Sequence, residues 1–293
     1  MGLLFIQRIF FVGVLMVLSS SVLIAQDEFI LMDDTIRVGE LEWDIHKDWR
    51  SRKDLIAKHP ELYGEHVRIK LSYHRNKMVH EIVFGYVSED SGFVAHGPAR
   101  YYYDQGQLLG KRHFRLGVLE GDAFDYFPDG SIRVKTKFDS GLLQGSFTSF
   151  YQNGTTEMVG QYREGMPHGK QEAWYSNGNR KWVESYEHGV RMGPDSSFYE
   201  NGSLEATASY REGLADGKWI FYHRDGAVWT EREYAAGRLM SVGFIQSKEG
   251  RQLEVGSFKD GNGWLRIYSE AGLPVEQEFY KEGRLTRVRP FRK

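Results

Sequence analysis

The chain has 293 residues, with 38 lysines and arginines against 40 aspartates and glutamates, so no basic excess is present to neutralise nucleic-acid phosphates. Aromatics make up 14%, and there are 33 glycines against 7 prolines, a balance that reads as many strands joined by tight turns and not as disorder. There is no cysteine, which excludes disulfides, a lipid-modified cysteine at an export site, thiolate metal centres and a cysteine nucleophile.

Residues 1–25 stand apart from the rest. Arg8 is their only charged side chain, Ile9 to Leu18 is an apolar run, and Ser19, Ser20, Ser21 and Ala25 follow. A short positive start, an apolar run and then small residues are the layout of a secretory signal, with removal expected after Ala25. The alternative is an uncleaved N-terminal anchor, in which case this segment is the chain's only contact with a membrane.

Residues 26–96 lack the regular pattern that follows and are expected to form a small, irregular α+β cap. "SRKDLIAKHPELYG" reads as a short helix from Ser51 that Pro60 helps to end. "HVRIKLSY" and "MVHEIVFGYV" alternate as strands do. A cap is needed because an open sheet exposes an unpaired edge at each end.

From Gly97 the chain repeats every 24 residues, with starts at Gly97, Gly121, Gly145, Gly169, Gly193, Gly217, Ser241 and Gly263, the seventh unit being two residues short. Position 10 is always glycine, from Gly106 to Gly272, and position 21 is always glycine, from Gly117 to Gly283. Position 18 is always Phe or Tyr, and position 6 is aromatic in seven of the eight units. Each unit holds two strand-length runs separated by glycine turns, which is a β-hairpin; glycine at such short intervals is incompatible with helix. The fold class expected is all-β: an elongated antiparallel sheet array of eight hairpin repeats over residues 97–286, followed by a basic tail, 287–293.

The string "FPDG" decides the first turn. Pro128 presets the first corner of a type I turn, so positions 8–10 are expected to form a three-residue loop with a left-handed glycine in a bulge. By analogy positions 19–21 are expected to do the same. Odd-length loops keep even positions on one side, so positions 6, 12, 18 and 22 are expected to gather on one apolar face. Position 22 then supplies Val118, Leu142, Met166, Val190 and Leu214 as aliphatic infill.

The opposite face is mostly polar except at position 7, which reads Tyr103, Phe127, Tyr151, Tyr175, Tyr199 and His223. An aromatic stripe among polar neighbours is the composition of an interface anchor, and these six residues are the candidate binding set; packing beneath a coiling sheet is the competing role. The terminal "RVRPFRK" carries charges and a proline suited to blunting a sheet edge.

No catalytic residue, cofactor motif or metal motif is recognised. None of the ten histidines lies in an H-E-x-x-H arrangement, and His168 and His188 occupy different repeat positions, 24 and 20, so they are not expected to stack. No nucleophile elbow and no phosphate-cradling loop is present.

The strings "WYSNGNRKWVESYEHGVRMG" and "FYENGSLEATASYREGLADGK" resemble the MORN-variant repeat of the YwqK-type antitoxin proteins of bacteria. The resemblance implies an elongated antiparallel sheet without catalytic residues that binds and neutralises a partner protein, here a toxin-like one. With the signal-like N-terminus, the expected location is the periplasm or surface of a bacterium, or its inner membrane if residues 1–25 anchor it. The alternative function is glycan or cell-wall binding, since flat aromatic faces suit sugar rings and "GKWIFYHRDGAVW" is similar to choline-binding repeats.

Overall fold

A computed structural model describes residues 28–31, 35–38, 41–44, 68–74, 79–88 and 92–291. The signal-like segment and the helix expected from Ser51 lie outside these. Among the described residues every regular element is a strand, and every pairing between neighbouring strands is antiparallel, as expected of hairpin repeats. They divide into two compact units.

The first unit runs up to Thr156 and includes Gln161–Met166. Its strands are β1 (Glu28–Leu31), β2 (Thr35–Val38), β3 (Leu41–Asp44), β4 (Arg68–Tyr73), β5 (Val79–Ser88), β6 (Gly92–Tyr102), β7 (Leu108–Arg115), β8 (Val118–Leu119), β9 (Gly121–Tyr126), β10 (Ile132–Asp139) and β11 (Leu142–Phe150). The two alternating runs before the repeats are β4 and β5. They pair with each other, and β5 pairs with β6, the strand on which the repeats begin. The pre-repeat strands therefore continue the repeat sheet in its own hydrogen-bonding plane, and β1 adds to β4 beyond them.

Strands β12 (Thr156–Arg163) and β13 (Met166–Trp174) each contribute residues to both units. The second unit comprises Glu157–Gly160 and the residues from Pro167 onward. It contains β14 (Arg180–Glu187), β15 (Val190–Arg191), β16 (Gly193–Phe198), β17 (Leu204–Arg211), β18 (Leu214–Ala215), β19 (Gly217–Tyr222), β20 (Val228–Ala235) and β21 (Arg238–Ile245), paired in chain order. The short seventh repeat forms no hairpin: after Ile245 only isolated bridges occur, such as Gln246 with Gln252. A three-stranded sheet follows, β22 (Gly263–Tyr268), β23 (Pro274–Lys281) and β24 (Arg284–Pro290). It is held to the repeats by the buried cluster Tyr234, Leu239, Leu265 and Ile267 and by the amide of Leu239 donating to Gly283. Burying side chains of this size contributes about 1.5–3 kcal/mol each. β24 is an outer strand of this sheet, and it carries the charges and Pro290 expected of a blunted edge.

The first turn of each repeat is the expected three-residue loop. In one hairpin the amide of Tyr175 donates to Asn179 and that of Gly178 to Tyr175, and the position-10 glycines have φ of 72–90°. Asp or Asn at position 9 adds a side-chain turn of its own; Asn201, for example, accepts from the amide and hydroxyl of Ser203.

The second turn departs from expectation. Position 20 has φ of 47–52° on eight non-glycine residues, and the glycine after it has φ of 73–82°. Two successive left-handed residues make a two-residue type I′ turn, with Glu187 directly paired to Val190. An even loop reverses which parity faces inward. A bulge after the first turn reverses it again: Trp174 pairs with Arg180, but Ala173 pairs with Trp182. The buried face is therefore built from odd positions 3 and 5 on one strand, even positions 14, 16 and 18 on its partner, and position 23. It carries Ala123, Phe138, Leu143 and Phe147 in the first unit, and Met158, Gln171, Ala173 and Asp195 in the second. Position 6 lies on the face opposite position 18, so the two aromatic rows do not share a side.

Candidate binding surface

Position 22, expected in the core, is exposed. Val118, Leu142 and Met166 in the first unit are 42%, 49% and 39% accessible, and Val190 and Leu214 in the second are 42% and 49%. The type I′ turn causes this, because it places position 22 beyond the buried parity. Four of these side chains lie over the position-21 glycine of the following turn: Val118 beside Gly141, Leu142 beside Gly165, Val190 beside Gly213, and Leu214 beside Gly237. That glycine is required twice, by its positive φ and by the neighbour resting on it. The result is a regular row of exposed aliphatics along the turns of each unit.

The position-7 residues are placed differently from an open stripe. Tyr103, Phe127, Tyr151, Tyr175 and Tyr199 are half-buried, and His223 is buried at 3% accessibility. Four of them engage the backbone one repeat on through their polar tips. The hydroxyls of Tyr103, Tyr175 and Tyr199 donate to the carbonyls of Tyr126, Phe198 and Tyr222 at 2.8–2.9 Å, and His223 Nε2 lies 2.9 Å from the carbonyl of Gln246. Cations cover two of the rings, Lys181 over Tyr175 and Arg224 over Tyr199. These side chains tie successive repeats together, with the hydroxyls of Tyr103, Tyr175 and Tyr199 already engaged by the backbone.

A second link between repeats escaped sequence reading. The side chain at position 24 accepts from the position-20 amide of the next turn: His96 from Leu116, Glu120 from Ser140, Gln144 from Glu164, Met192 from Glu212, and Asp216 from Ala236. In the shortened seventh unit Asn262 does the same for Glu282. The signal was available in retrospect, since every position-24 residue carries an acceptor atom, but no shared residue type marks it.

The buried face also holds charge. In the second unit Arg191 pairs with Glu184 at 2.8 Å and with Asp195, and its guanidinium stacks 4.1 Å over the ring of Tyr210. Tyr186 donates to Glu184 at 2.7 Å, and the amide of Ser185 to Asp195 at 3.2 Å. Burial pushes Asp195 up to about 6 against the pull of Arg191, and burial with the neighbouring Glu184 raises Tyr186. In the first unit Arg112 pairs with Asp125 and donates to the carbonyl of Phe124 at 2.7 Å. Each carboxylate in these groups is matched by an arginine, the arrangement of structural ion pairs.

His168 and His188 contradict the expectation that they would stay apart. Their rings meet edge to face with centroids 5.3 Å apart. Positions 24 and 20 are brought together by the same contact between repeats that makes the capping bonds.

Residues 95–115 match the MORN repeat variant family, a stretch covering the first hairpin from β6 into β7. No curated protein matches the chain.

Proposed function

We propose that this chain is a non-catalytic repeat scaffold that binds a partner protein along the turn side of its hairpins, outside the bacterial cytoplasm. The carrying observation is the row of aliphatic side chains at position 22 of the first five repeats, each 39–49% accessible. Although these side chains rest on the next turn, they leave 39–49% of their apolar surface uncovered by the fold, and contiguous exposed apolar surface is rare without a partner. The position-7 rings contribute contact edges on the other end of the hairpin. By resemblance to the YwqK-type antitoxins the partner is a toxin-like protein, and residues 1–25 direct export to the periplasm or cell surface or hold the chain at the inner membrane.

Capture from an envelope fraction tests this reading, with the wild type compared to a variant carrying Val118→Ser, Leu142→Ser, Val190→Ser and Leu214→Ser. A stoichiometric complex with one protein, lost in the variant while its melting curve is unchanged, supports it. Equal capture by both forms, or none by the wild type, overturns it.

A further inference from the structure

Among the described residues the capping bond between repeats is missing at Met240, a side chain with no strong acceptor, and at His168. Where His96, Glu120, Gln144, Met192, Asp216 and Asn262 each accept a position-20 amide, His168 does not cap His188. Instead Nδ1 of His168 is buried with no hydrogen-bond partner among the described residues. A buried ring nitrogen without a partner costs stability, and the repeat elsewhere fills this position with a side chain that avoids that cost.

We propose that His168 and His188 form a two-histidine site for a divalent transition-metal ion, held between adjacent repeats. An imidazole–zinc bond is about 2.0–2.1 Å, so two imidazoles sharing one tetrahedral ion have ring centroids about 5.2 Å apart. The observed separation is 5.3 Å. Plain edge-to-face packing also allows that spacing, but it leaves the buried Nδ1 idle, whereas an ion takes up its lone pair. His188 is exposed, so water completes the coordination; no cluster of three or more His, Cys, Asp or Glu side chains is found among the described residues. Neutral imidazole selects zinc, nickel and copper over calcium and magnesium, which demand oxygen ligands.

A second histidine pair provides the internal control. His74 and His80 have centroids 4.7 Å apart, but His74 Nε2 is engaged with the carbonyl of Tyr102 at 2.9 Å and His80 Nδ1 with the hydroxyl of Ser72 at 3.4 Å.

The test is calorimetric titration of the full, tag-free chain with zinc or nickel chloride, alongside thermal melts with and without the ion. Two variants keep the fold. His188→Asn retains a residue that tolerates the left-handed turn, φ 48°. His168→Gln supplies the acceptor that Gln144 supplies one repeat earlier. The wild type is expected to bind one ion, most tightly copper, then nickel and zinc, and to melt higher with it. Each variant is expected to bind at least tenfold more weakly, and His168→Gln to melt higher than the ion-free wild type because the cap is restored. Undiminished binding in both variants would place the ion elsewhere on the chain and overturn the proposal; so would no binding by the wild type at millimolar ion.

Discussion

The hydroxyl of Tyr175 donates to the carbonyl of Phe198, 2.9 Å away and one repeat further along the chain. The bond joins the end of one first strand to the end of the next. It recurs from Tyr103 to Tyr126 and from Tyr199 to Tyr222, so the position-7 tyrosine acts as a rung between repeats. In a repeat array, stability is the sum of each repeat's own stability and its interfaces with neighbours. These rungs belong to the interface part.

The combined change Tyr103→Phe, Tyr175→Phe and Tyr199→Phe keeps the rings and removes the rungs. Each lost bond is expected to cost about 1 kcal/mol. Denaturant unfolding checks this: a midpoint unchanged from wild type would mean the hydroxyls contribute nothing between repeats. Partner capture by this variant should persist, because the rings stay in place.

Removing a position-24 acceptor gives a second measure of coupling between repeats. Gln144→Leu leaves the amide of Glu164, now bonded at 2.9 Å, without its partner. The turn is solvent-exposed, so water replaces part of the bond and the expected loss is about 0.5–1 kcal/mol. Hydrogen exchange at the Glu164 amide offers a local readout, and faster exchange in the variant is expected. Unchanged exchange would mean the amide is protected by something other than the side chain.

The sequence made the first turn legible because Pro128 admits few backbone conformations and because Asp or Asn recurs beside the glycine. The second turn was not legible. Its left-handed residue is Leu116, Ser140, Glu164 or His188 in successive repeats, types with no common preference for positive φ. Once that turn is misassigned, parity is misassigned, and Val190 and Leu214 are read as core. The pairing of His168 with His188 was hidden for a related reason: residues at positions 24 and 20 meet only across the contact between repeats, which spacing alone does not reveal. The hairpin repeat itself survived these errors, because glycine at positions 10 and 21 defines it whichever way the side chains point.

Exposure at position 22 carries its own stability prediction. Val190→Ser and Leu214→Ser remove side chains that are 42% and 49% accessible and rest on glycines. The expected change is within about 0.5 kcal/mol, as for ordinary surface substitutions. A control at a buried site, Leu239→Ala, at 2% accessibility, is expected to cost about 2–5 kcal/mol. Equal losses at the two kinds of site would restore position 22 to the core and remove the surface on which partner binding is proposed.

Asp195 sets a pH dependence with a definite sign. Burial raises it from an ordinary value of 3.8 to about 6, with the Arg191 guanidinium pulling the other way. A carboxyl whose folded value is raised binds its proton more tightly in the folded state. Its contribution is therefore fully present below about pH 4 and is lost as pH rises through 6. The shift corresponds to at most about 3 kcal/mol between those limits. Glu205, raised by its own burial, adds a slope of the same sign. Chemical denaturation at steps from pH 4 to 7 should show stability of the second unit falling with pH, and Asp195→Asn should flatten most of that fall because an amide does not titrate. A variant with the same slope as wild type would mean that Arg191 holds Asp195 ionised throughout, and that the buried ion pair, not the burial, governs the carboxyl.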